Sequence, residues 1–155
     1  MNGYVFKLER ILNLKEEIEE LRNRELTEAI LALREEIDRK NEIEAEISAV
    51  MDEMRSGQKE GWSSLRYISA QRYLAYLNAR LQEQIMRIKD ANVEVNLRRE
   101  KLVQAVKERK IFEKLKERDY RGFLERLSKR EMEILDLVTT NGYHRKSRQT
   151  SEEVV

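Results

Sequence analysis

Leu74, Leu81, Ile88, Val95 and Leu102 recur at every seventh position. Seven residues are close to two helical turns, so these side chains share one narrow face, and such a face is buried by a second helix rather than by a wide core. Ile85 and Val106 stand at the complementary position, with the polar Asn78, Asn92 and Arg99 at the other places of that set. Polar residues in a seam fix its register at some cost in stability. The 155-residue chain contains no proline, so long helices meet no backbone obstacle. Charged residues make up 39% and aromatic residues 6%, a balance that suits apolar stripes on long helices.

Upstream, residues 4–55 hold neither Pro nor Gly, and apolar residues fall in three groups at helical intervals. These are Leu8, Ile11, Leu14, Ile18, Leu21, then Leu26, Ile30, Leu33, Ile37, then Ile43, Ile47, Val50, Met54. Register slips between the groups predict a supercoil of uneven pitch. Between the two periodic segments, RSGQKEGWSSLRYI carries Gly57, Gly61 and the single tryptophan, Trp62. The glycines mark a reversal, Ser63 or Ser64 is placed to cap the next helix, and Trp62 is expected to plug the apolar tip. After Arg109 the stripe shifts to Phe112, Leu115, Phe123, Leu127, Ile134 and Val138, and the final TTNGYHRKSRQTSEEVV loses periodicity.

The predicted fold is all-α: a long antiparallel two-helix coiled-coil hairpin whose second helix is longer than the first. Helix 1 is expected at about 4–56, the turn at about 57–64, helix 2 at about 65–138, and a disordered tail at 139–155. Pairing outward from the turn leaves about 118–138 projecting past the first helix. Residues 1–56 carry a net charge of −6 and the remainder +7, so the halves attract when folded together.

The absence of cysteine excludes disulfides and thiolate chemistry. No run of 18 apolar residues occurs, and MNGYVFKLERIL lacks the pattern of a signal peptide, which together read as cytosolic. Phosphate-binding glycine loops, HExxH and GxSxG are missing, so no enzyme and no cofactor are expected. His144 lies among basic residues of the tail, where a solvated side chain is the expectation. Glu16, Glu17, Glu19 and Glu20 lack the Glu-x-x-His partner of di-metal bundles and read as a solvated face, so no metal is expected. Residues 98–130 carry a net +7, but Glu100, Glu108, Glu113 and Glu117 interrupt the basic residues, which argues against nucleic acid as partner. RYISAQRYLAYLNARLQEQ holds Tyr67, Tyr73 and Tyr76 near the turn. Tyr73 and Leu77 widen the apolar face, either as anchors for a partner protein or as a surface covered by Ile43, Ile47 and Met51.

YVFKLERILNLKEEIEE, the glycine-bearing turn before RYISAQRYLAYL, and REKLVQAVKERKIFEKLKERDYRGFLERLSKREMEILDLV together resemble the FliJ family of the flagellar type III export apparatus. Phe6, Leu8 and Leu12 and the ERKIFEKLKER stretch are the most specific parts. The resemblance implies a non-enzymatic coiled-coil stalk, similar to the central stalk of rotary ATPases, that promotes assembly and turnover of the export ATPase FliI ring. It also implies contacts with the cytoplasmic region of the export gate FlhA and with export chaperones. The chain would be cytoplasmic, monomeric when free, and recruited through its partners to the inner membrane at the flagellar base. The family's gate-docking surface maps onto Tyr73, Leu77 and Gln84, with Ile43 and Met54 on the first arm; Arg80 stands where a small residue is expected. The basic terminal end, Lys107, Arg109, Lys110, Lys114, Lys116, Arg118 and Arg121, suits an acidic pore and is the candidate ATPase-ring contact. Two alternatives share the shape: the stalk of a virulence secretion system, and a homo-oligomeric coiled-coil scaffold.

Overall fold

The structure is a computed structural model that describes residues 3–152, with the side chains of 144 and 147–152 outside the description. Among the described residues there are two helices, α1 (Glu9–Glu60) and the longer α2 (Ser64–Glu152), packed against each other as an antiparallel hairpin. The chain divides into a turn-bearing unit, Glu16–Lys107, and a terminal unit, Met1–Lys15 with Glu108–Val155.

In the turn-bearing unit the buried and half-buried positions of α1 include 19, 22, 26, 29, 33, 36, 40, 43, 47, 50, 54 and 57. The steps alternate between three and four without a break, so the expected register slips are absent. Arg22, Ala29, Glu36 and Lys40 fill seam places, while Leu21, Ile30 and Ile37, which read as stripe residues, face solvent. Long polar side chains bury their stems in such a seam and carry their heads to its edge, which hides the repeat from a search for apolar residues.

On α2 the matching positions are 67, 70, 74, 77, 81, 84, 88, 91, 95, 98, 102 and 105. The heptad read from Leu74 to Leu102 is therefore the seam, but its complement is Leu77, Gln84, Ala91, Arg98 and Ala105. Asn78, Asn92 and Arg99, expected in the seam, are exposed, and Ile85 and Val106 are half-buried at its flank. A heptad is compatible with a complement either three or four residues on, and here small alanines occupy the chosen side, where they admit the facing helix. The polar seam residue is Gln84, whose side-chain amide donates to the Glu36 carbonyl oxygen at 2.8 Å and to the Glu36 carboxylate. Further along, Arg98 pairs with Glu25 at 3.3 Å, and the hydrogen bond from Arg22, followed by the charges of Arg22 and Arg98, holds the Glu25 carboxyl below its ordinary range. Partners on α1 descend from Glu46 through Glu36 to Glu25 as those on α2 rise from Tyr73 through Gln84 to Arg98, the signature of antiparallel pairing.

The turn is shorter than expected. α1 continues through Gly57 to Glu60 and ends in a Schellman-type cap, with Gly61 at φ +75° and the Trp62 N–H donating to the Gly57 carbonyl at 3.0 Å. Trp62 folds back so that its indole lies on Gly57, where any Cβ would overlap the ring. Gly57 is thus needed for close approach inside the helix, and only Gly61 for chain reversal. Ser63 is the N-cap of α2: its Oγ accepts from the Arg66 N–H at 3.4 Å.

The terminal unit begins with an extended strap before α1. Tyr4 and Phe6 turn toward α2 while Val5 between them is 79% exposed, an alternation that belongs to extended chain and explains why α1 starts at Glu9 rather than near residue 4. Tyr4 donates to the Lys116 carbonyl at 3.2 Å and to Asp119 at 3.3 Å, and its ring meets Tyr120 edge-on at 5.0 Å. Burial, followed by the nearby Asp119 charge, raises the Tyr4 hydroxyl pKa. Lys15 pairs with Glu108 at 2.7 Å and Lys116 with Glu9 at 2.8 Å. From Leu124 onward every described side chain is exposed. α2 nevertheless runs through 139–152, the stretch expected as a disordered tail; 153–155 lie outside the described residues. The Thr139 and Thr140 hydroxyls bond to the carbonyls of Leu135 and Asp136 one turn back, and no proline interrupts the helix.

Candidate functional sites

Two faces of the molecule concentrate recognition chemistry. The first lies on the turn-bearing unit beside the seam. Tyr73 and Tyr76 are three apart on α2, so their rings fall on neighbouring turns and stack at 6.1 Å with an interplanar angle of 22°. They are 40% and 56% exposed. The Tyr73 hydroxyl donates to the Glu46 carboxylate of α1, and that bond, then burial, raises its pKa. Arg80 lies over the Tyr76 ring at 5.8 Å and also borders a polar cleft of about 380 Å³ with Arg39, Glu46 and Arg87. Aromatic and guanidinium groups exposed side by side are strong anchors for a protein partner.

Of the five residues mapped to the export gate, Tyr73 alone is exposed on this surface, while Ile43 and Gln84 reach only the wall of the cleft beside it. Leu77 (0% exposed), Gln84, Ile43 and Met54 are buried between the helices, because each occupies a seam position. They hold the helices that carry Tyr73. From the sequence, Tyr76 belongs to the tyrosine cluster near the turn and Arg80 stands where the family's surface has a small residue, while Glu46 carries no signal of its own. The three-residue spacing of Tyr73 and Tyr76 was the available signal for the pair, whereas Glu46 comes from the other helix and depends on the register.

The second face is the basic end. Six of its seven residues belong to the terminal unit, and Lys107 is the last residue of the other. Lys110, Lys114, Arg118 and Arg121 are exposed, as is Lys107. Arg109 is paired with Glu113, and Lys116 with Glu9, so these two also serve the unit's internal structure. Beyond them the exposed Leu124, Leu127, Ile134, Leu135 and Val138 continue an apolar face with no covering helix among the described residues. Among the described residues no cluster of three His, Cys, Asp or Glu could hold a metal, and no helix is long and apolar enough to cross a membrane.

A family model described as flagellar FliJ protein matches residues 4–148. The chain belongs to the FliJ family. Membership makes it a flagellar, export-related protein, and the family is a non-catalytic component of that apparatus. No curated protein and no solved structure matches this FliJ-family chain.

Proposed function

We propose that this FliJ-family chain is a non-enzymatic stalk of the flagellar type III export apparatus, which docks its terminal unit into the ring of the export ATPase and promotes ring assembly and ATP turnover. The observation that carries this reading is the terminal unit itself: exposed Lys110, Lys114, Arg118 and Arg121, followed on the same helix by the uncovered apolar residues from Leu124 to Val138. Exposed positive charge speeds and orients the approach to an acidic pore, and the apolar face supplies the area that desolvates on contact. Tyr73, with Tyr76 and Arg80, is the proposed contact for the export gate, and Ile43, Met54, Leu77 and Gln84 support it from the seam. Contacts with emptied export chaperones, a free monomeric state, and recruitment through partners from the cytoplasm to the inner membrane complete the proposal.

The test is charge reversal at Lys110, Lys114, Arg118 and Arg121 together. Stimulation of the purified export ATPase should fall by at least about tenfold, with a weaker dependence on salt, while circular dichroism shows unchanged helicity. Full stimulation by the reversed chain would remove the basic end from the mechanism.

A further inference from the structure

Gly122 lies inside α2, where glycine costs about 1 kcal/mol relative to alanine. The terminal unit's own packing does not require it. A Cβ built at this position meets only the Arg126 guanidinium at 3.5 Å, an ordinary contact, and its backbone is plain helix. The position contrasts with Gly57, where the indole of Trp62 excludes any side chain. Gly142, further along α2, likewise has nothing within 4 Å of a built Cβ, so a helical glycine alone marks no contact; Gly122 differs in standing on the wall of a groove, where a bare helix surface lets another molecule come close.

The surroundings show what could approach. Gly122 forms part of the wall of an open groove of about 540 Å³, whose apolar surface comes from Phe6 and Leu8 of the strap and Leu115 of α2. The volume admits large apolar side chains. Lys7, Arg118 and Arg126 stand around it. The one acid beside the groove, Asp119, already accepts the Tyr4 hydroxyl at 3.3 Å. The groove therefore combines an apolar floor, a predominantly cationic rim and a helix stripped of its side chain at one point.

We propose that this groove seats a large apolar side chain carried on an acidic segment of the partner that receives the terminal unit, with Gly122 marking where the partner comes closest to α2. The inference rests on the export ATPase as that partner and adds the chemistry of the contact: an aliphatic or aromatic knob flanked by Asp or Glu, which Arg118, Arg126 and Lys7 would meet on the rim. A second copy of this chain is disfavoured as occupant, because its own terminal end would bring like charges to the same rim.

The experiment titrates fluorescently labelled full-length chain with purified export ATPase, comparing the wild type with Gly122→Ala, Gly122→Leu and Arg126→Glu. Both glycine substitutions should leave the melting temperature equal or higher, since each improves helix propensity. Binding should weaken in the order of side-chain size, by a few-fold for Gly122→Ala and by at least about tenfold for Gly122→Leu. Arg126→Glu should weaken it further at low salt than at high salt. If the wild type binds and Gly122→Leu binds equally well, the groove is not the seat and the ATPase reading stands. If Gly122→Leu loses helicity, equal binding by wild type and Arg126→Glu overturns the groove on the same terms. If the wild type itself does not bind, the ATPase reading fails and this proposal falls with it.

Discussion

Leu77 and Ile134 are both aliphatic, both on α2 and both on apolar stripes of helical spacing, yet Leu77 is 0% exposed and Ile134 is 60% exposed. In the turn-bearing unit the stripe meets α1, and the seam closes over Leu77, Val95 and Ala105. In the last part of the terminal unit the same kind of stripe meets no helix among the described residues, and Leu124, Leu127, Ile134, Leu135 and Val138 are exposed. Amphipathic pattern thus specifies that a face is to be covered, and the partner that covers it is a separate question. For Leu77 the partner is the chain itself; for Ile134 the proposal above supplies an ATPase ring.

The contrast can be broken first at its strongest point. Leu77→Ala should cost about 3 kcal/mol in urea unfolding, because a fully buried leucine loses its transfer energy and leaves a cavity in a seam only two helices wide. A cost below about 1 kcal/mol would mean that the seam is not closed there. Gly57→Ala should cost about 1 kcal/mol, the difference between roughly 2 kcal/mol of overpacking against Trp62 and a gain of about 1 from helix propensity. A red shift of the single tryptophan's emission should accompany it as the indole leaves Gly57; an unshifted spectrum would place the ring elsewhere. Ile134→Ala should change stability by no more than about 0.5 kcal/mol, because the side chain is already in water in the free protein. A loss comparable with that of Leu77→Ala would show that the terminal stripe is buried after all, and would make self-association the first suspect.

How much of this was legible in the sequence depended on whether one residue or two had to be right. The repeat from Leu74 to Leu102 is a property of a single segment and stands in the seam as expected, whereas of the two glycines expected to mark the reversal only Gly61 does so. Which set of residues complements that repeat is a property of two helices meeting. Asn78, Asn92 and Arg99 and the set Leu77, Gln84, Ala91, Arg98 and Ala105 satisfy the same spacing rule, and only the facing positions on α1 choose between them. The regular seam of α1 escaped for a related reason: Arg22, Glu36 and Lys40 contribute stems rather than hydrophobic names to it. Gly57 marked the neighbourhood of the turn, but its cause, an indole folding back from Trp62, is a contact no local pattern encodes. The continuation of α2 through 139–152 went unseen because the stretch has no apolar period to announce it, although it also contains nothing that stops a helix.

The candidate sites divide along the same line. Tyr73 and the basic residues near Arg118 are visible as exposed chemistry in a list of residues, whereas the burial of Leu77, Gln84, Ile43 and Met54 follows from seam positions that are known only once the register is known. The groove at Gly122 depends on a strap and a helix more than a hundred residues apart in sequence coming together; Phe6 and Leu8 in one and Leu115 and Arg118 of ERKIFEKLKER in the other stand out as motifs, but neither segment shows by itself that they meet.

The proposed stalk acts by coupling its terminal unit to an ATPase. That coupling is tested most directly by the turnover of the purified export ATPase with and without this protein at moderate salt, with ring assembly followed in parallel by light scattering. Turnover should rise, and rings should assemble at lower ATPase concentration, when the protein is present. Unchanged turnover and unchanged assembly, with the added protein shown to be helical and monomeric, would contradict it.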